Sequence, residues 1–169
     1  MFRDVYVAIL KHEHTATKRC IEAVPDGKGD YKPHPANMSA TDLAWHLASS
    51  EIWFMQGVLN GQFDFGGGAT RPADVNTGSE IAAWYEKEFA DHIAKLEAMT
   101  GEQLAQEVGF AMFNDPAVTY LSICNRHAVH HRGQLSAYLR PMGAKVPAIY
   151  GGSADEPFVM PEQAGSAQA

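Results

Sequence analysis

Two histidines four positions apart open the functional reading of this chain. The run Cys124-Asn125-Arg126-His127-Ala128-Val129-His130-His131-Arg132-Gly133-Gln134-Leu135 has helical character. On a helix, residues at i and i+4 stand one above the other, so His127 and His131 can reach one ion together. A wheel at about 100° per residue places Tyr120, Cys124, Ala128, Leu135 and Tyr138 on the same inward stripe as His131. His127 falls about 40° from His131, inside the stripe, whereas His130 falls about 100° away at its edge. Two inward imidazoles need partners, because burying polar rings without them is costly.

His46 is the candidate for a third ligand. It sits in the apolar run Leu43-Ala44-Trp45-His46-Leu47-Ala48, where a solvated histidine would be out of place. The alternative is a core histidine bonded to a backbone carbonyl. Three histidine nitrogens leave a divalent ion with open positions, the arrangement of catalytic rather than structural sites. Water or a thiol held there would lose its proton more readily and act as a nucleophile near neutral pH.

Other polar residues carry weaker signals. His130 faces away and suits a surface or an interface. His12 and His14 lie two apart and cannot share a helix face; solvated positions are expected, with one of them lining the pocket as the alternative. Cys124 is expected to be a small buried residue, since seven residues put it about 10 Å along the helix from His131. Glu51, five residues after His46, reads as a surface carboxylate by default, with ligand orientation as the alternative. Tyr120 and Tyr138 either pack or hydrogen-bond at the pocket, and Arg132 and Gln134 serve packing, a dimer contact or a pocket wall.

Four helices must position these groups. The first is expected from about Phe2 to Val24, before Pro25-Asp26-Gly27. The second runs from near Ser39, with Ser39-Ala40-Thr41-Asp42 as a capping box, to Asn60-Gly61. Gly66-Gly67-Gly68 reads as a flexible connection. The third starts near Thr77-Gly78-Ser79, with Ser79 as cap, and ends about Met99. A loop over 100–116 holds a helical turn near Glu102–Gln106 and an extended piece near Val108–Phe113. The last helix spans about Val118 to Leu139 and stops at Pro141 and Gly143. The expected fold is an all-α four-helix bundle with long connections and an irregular C-terminal tail. Residues 1–160 are expected to form one domain, and 161–169 a flexible tail.

Composition narrows the functions. A length of 169 residues suits one domain, and 46% hydrophobic with 20% charged residues is ordinary for a globular protein. The net charge of −7 argues against a nucleic-acid binder. No apolar stretch suits a membrane span, and the N-terminus lacks a signal region, so a cytoplasmic location is expected. Two cysteines are too few for a disulfide framework and, outside any Cys-x-x-Cys motif, argue against a thiolate zinc site. His-Glu-x-x-His, paired Glu-x-x-His, a phosphate loop and a Gly-x-Ser-x-Gly elbow are all absent.

The element His127-x-x-x-His131-Arg132-Gly133-Gln134-Leu135 closely resembles the signature of the DinB/YfiT-like metal-binding bundles. His46-Leu47-Ala48 with Glu51 resembles their second-helix histidine motif. The ending Leu139-Arg140-Pro141-Met142-Gly143, then Val146-Pro147-Ala148-Ile149-Tyr150-Gly151, resembles their C-terminal pattern. The resemblance implies a four-helix bundle, often a homodimer, with zinc, nickel or another divalent ion on three histidines that map to His46, His127 and His131. It also implies, for some relatives, transfer of a low-molecular-weight thiol to a small electrophilic molecule.

Three functions therefore stand side by side. One is a metal-dependent thiol transferase, with a hydrolase using activated water as its variant. Another is a non-catalytic metal- or ligand-binding module, as in a stress response. The third is a bundle without metal.

Overall fold

Hydroxyl caps set where the long helices begin. Ser39 Oγ accepts the Asp42 N–H at 3.1 Å and donates to the Asp42 carboxylate at 2.7 Å, opening α2 (Ala40–Asn60). Gly61 closes that helix in the left-handed region, at φ 69°, where a residue without Cβ is favoured. Thr77, not Ser79, caps α3 (Gly78–Ala98). Thr77 stands three residues before Glu80, so its hydroxyl takes the Glu80 N–H while the Glu80 carboxylate takes the Thr77 N–H. Ser79 is left inside the first turn.

The computed structural model describes residues 2–66 and 69–160; Gly67, Gly68 and the expected tail 161–169 lie outside them. The other long helices are α1 (Phe2–Glu22) and α5 (Ala117–Leu139). The connection from α3 to α5 is more regular than its sequence suggests. It holds α4 (Gly101–Ala105), then an antiparallel hairpin of β1 (Glu107–Phe110) and β2 (Phe113–Pro116). Ala111, with φ 54°, supplies the positive dihedral that a two-residue hairpin turn requires. The strand β2 passes directly into α5.

The four long helices pack in a ring, with α1 against α3, α3 against α2, α2 against α5 and α5 against α1. Leu10, Ile21, Leu47, Met55, Ile81, Leu96, Leu121 and Leu135 fill the interior, each at most 1% exposed. Helices α2 and α5 run antiparallel, since His46 meets His131 while Glu51 meets Cys124. This packing brings the middle of α2 against the histidine stripe of α5.

One ion pair crosses the interior. Arg132 is 1% exposed and donates to the Glu13 carboxylate at 2.6 Å and to Thr17 Oγ1 at 3.2 Å. Tyr150, from the irregular segment after α5, bonds both members of the pair. Arg19 and Arg140 pin that segment to the helices through Glu156 and Asp155. No helix among the described residues is long and apolar enough to cross a membrane.

Candidate metal centre

The three histidines meet. His46 on α2 and His127 and His131 on α5 each offer a nitrogen, and these atoms lie within 4.8 Å of one another. All three are half-buried. The ring centroids stand 5.1 Å (His46–His127), 4.5 Å (His46–His131) and 4.3 Å (His127–His131) apart.

Hydrogen bonds orient two of the rings. Ser50 Oγ donates its proton to the His46 carbonyl at 2.5 Å, so toward His127 Nδ1, 3.3 Å away, it acts as acceptor. This assigns the His127 proton to Nδ1 and leaves a lone pair on Nε2. His131 Nδ1–H donates to Gln134 Oε1 at 2.7 Å, which turns the Nε2 lone pair of His131 inward. Outer partners of this kind fix the tautomer and aim of metal-binding imidazoles.

The closest pair in the donor set matches the spacing that a divalent ion imposes. Two nitrogens bound at 2.0–2.1 Å to one ion stand about 3.3 Å apart in tetrahedral geometry and about 2.9 Å apart in octahedral geometry. His46 Nε2 and His131 Nε2 stand 3.2 Å apart. Because the His131 atom carries a lone pair, a proton on His46 Nε2 or a cation must fill that gap. Burial and the neighbouring imidazoles pull His127 down to about 4. Burial, then His131, lowers His46, and burial lowers His131 despite the opposing bond to Gln134. Neutral rings are the form a metal requires.

A cavity of about 430 Å³ opens beside the rings, lined by His46, His127, Ser49, Trp53, Phe54, Asp64, Phe65 and Phe110 among others. The hairpin contributes Phe110 and the loop after α2 contributes Asp64 and Phe65.

A model of the DinB family matches residues 1–163. The chain belongs to the DinB family. It is 27% identical over 137 residues to the uncharacterized protein YjoA of Bacillus subtilis (strain 168), a match covering 79% of this chain and 86% of that protein. It is 25% identical over 158 residues to the uncharacterized protein YrdA of the same strain, covering 90% of each. Crystal structures of DinB-like proteins share its fold. YjoA superposes with a TM-score of 0.73 at 24% identity, over 85% of this chain and 96% of that one. A protein from Bacillus cereus ATCC 10987 gives 0.75 at 22%, over 89% and 100%.

Other expected positions in this DinB-family chain divide clearly. His130 is exposed and His12 is exposed, while Cys124 is fully buried and lies 3.7 Å from the Glu51 carbonyl. Tyr120 donates to the Val108 carbonyl and stacks behind Phe110, and Tyr138 accepts from Asn37, so both hold the fold together and neither lines the cavity.

Two default readings are corrected. Glu51 is no surface carboxylate: about 140° round α2 from His46 points it at α3, where it is 1% exposed and accepts the Tyr85 hydroxyl at 2.6 Å. Burial pushes its carboxyl up to about 7. His14 is buried too, stacked on Phe89 at 4.0 Å between centroids, because α3 covers that side of α1.

Ser50 and the aromatic wall were missed from sequence. Ser50 follows His46 by four residues, and that spacing alone marked it as a neighbour on the same face. Phe65, Asp64 and Phe110 come from connections, where periodicity carries no signal.

Proposed function

We propose that this protein binds zinc or nickel on His46, His127 and His131 and transfers a low-molecular-weight thiol to a small electrophilic molecule. The observation that carries the proposal is the convergence of three imidazoles beside an open cavity. Bound there, the ion would supply a Lewis acid that favours the thiolate form of a thiol. The chain's own part is to aim the rings through Ser50 and Gln134 and to surround the electrophile with Trp53, Phe54 and Phe110. In the transfer, sulfur would form a bond to the electrophilic carbon while the leaving group departs with the bonding pair, and the thiol proton passes to solvent.

A non-catalytic metal- or ligand-binding module is the second reading. It is favoured by the position of Glu51: its carboxylate bonds Tyr85, and no carboxylate among the described residues bonds any of the three imidazoles. A general base beside the centre is what a hydrolase would need. We further propose a homodimer, which the resemblance supports, and a single domain over 1–160, which the shared core of the helices supports.

The test is conjugation of cysteine, glutathione or bacillithiol to a chromogenic electrophile by zinc- or nickel-loaded protein. The account expects turnover that falls at least tenfold after chelation and in His127→Ala. Equal rates with and without metal would leave only the binding module.

A further inference from the structure

We infer that the cavity beside the histidines is built for a ligand with an apolar body and a cationic amine, the amine being received by Asp64 and the surrounding rings. The wall is aromatic: Trp53, Phe65 and Phe110 stand 5.1–5.9 Å apart between ring centroids, and Phe54 lies 6.1 Å from Phe110. The Trp53 indole N–H is already committed to the Asp64 carbonyl at 2.8 Å. Trp53 therefore offers an incoming molecule its π face, the surface that attracts ammonium groups.

Asp64 supplies the matching charge. Its Oδ1 accepts the Gly66 N–H at 2.8 Å, which fixes the carboxylate of this exposed residue, one of those that line the cavity. Among the described residues no lysine or arginine lines this cavity, and the chain as a whole carries −7. A carboxylate beside three rings, with no competing cation on the wall, repels anions and favours an ammonium. Trp53, whose indole bonds the Asp64 backbone carbonyl, lies seven residues, about 10 Å, further along α2 than His46. The ligand that fits spans that distance, with its amine at one end. That its other end reacts at the histidines rests on the proposed metal function; recognition of the amine does not.

Calorimetric titration of the full chain tests this, with zinc loaded and with zinc removed. Three matched probes are used: 4-phenylbutylamine, 4-phenylbutan-1-ol and 4-phenylbutanoate. The amine is expected to bind about fivefold to tenfold more tightly than the alcohol in both forms. The carboxylate is expected to bind more weakly than the alcohol in the zinc-free form.

Asp64→Asn should erase the preference for the amine. Asparagine keeps the Oδ1 acceptor for Gly66, so the loop and the melting temperature should be retained. No preference for the amine, a preference that survives Asp64→Asn, or no binding of any probe at millimolar concentration would overturn the inference. Zinc content measured on the same samples separates the two failures. Protein that takes up no zinc on loading yet selects the amine defeats the metal function alone; protein that holds zinc and ignores the amine defeats this inference alone.

Discussion

Gln134 shows how a neighbour, rather than the histidines themselves, decides what the centre can do. Gln134 accepts the Nδ1 proton of His131 and so holds the opposite lone pair inward. Replacing such outer partners commonly weakens metal binding about 10- to 100-fold. Gln134→Ala is therefore expected to lower zinc affinity at least tenfold in a competition titration, with little change in melting temperature because the residue is exposed. Unchanged affinity would remove Gln134 from the centre. Glu51 acts on stability instead. Its folded-state carboxyl titrates near 7, above the ordinary 4.5, so the folded chain keeps the proton longer than the unfolded chain. Stability should fall as pH rises from about 4.5 to 7 and level off above, by at most roughly 3 kcal/mol from this group. Urea unfolding of Glu51→Gln across that window should show a flatter profile; a profile as steep as wild type would assign the slope elsewhere. Sequence could not reveal this, because the angle from His46 that reads as solvent faces α3 in the bundle.

At the level of elements, α2 carries most of the site: His46, Ser50, Trp53 and Phe54 lie along it, and Gly57 lets the following loop fold back on it. A Cβ at Gly57 would meet the Phe63 ring at 2.2 Å. Gly57→Ala gains helix propensity of about 1 kcal/mol, but the ring must move and takes its neighbours Trp53, Phe54 and Phe110 with it. Net destabilisation of about 1–2 kcal/mol is expected by chemical denaturation, with altered tryptophan fluorescence. A more stable variant with unchanged emission would show that Phe63 does not hold the loop. The long helices and the chemistry of α5 were legible because their apolar periodicity and the i, i+4 histidines are local signals. The hairpin was half legible: an extended piece near Val108–Phe113 was expected, but pairing with Asn114–Pro116 depends on a turn at Ala111 that lacks the usual Gly or Asn.

Across the whole molecule, a ring of four helices sets two of its neighbours, α2 and α5, antiparallel so that one histidine from the first meets two from the second. The buried pair Arg132–Glu13, one residue beyond His131, ties α5 to α1 and, through Tyr150, to the closing segment. Which residues stand opposite each other in such a ring is set by long-range packing, so the partnership of His46 with the α5 pair could be expected from sequence but its distances could not. Anomalous diffraction from crystals of zinc- or nickel-loaded protein, recorded at the metal's absorption edge, examines that partnership directly. The account predicts one strong peak between α2 and α5, about 2.0–2.1 Å from a nitrogen of each of His46, His127 and His131. A crystal grown with stoichiometric metal that shows no peak there, or a peak bound by other residues, would contradict it.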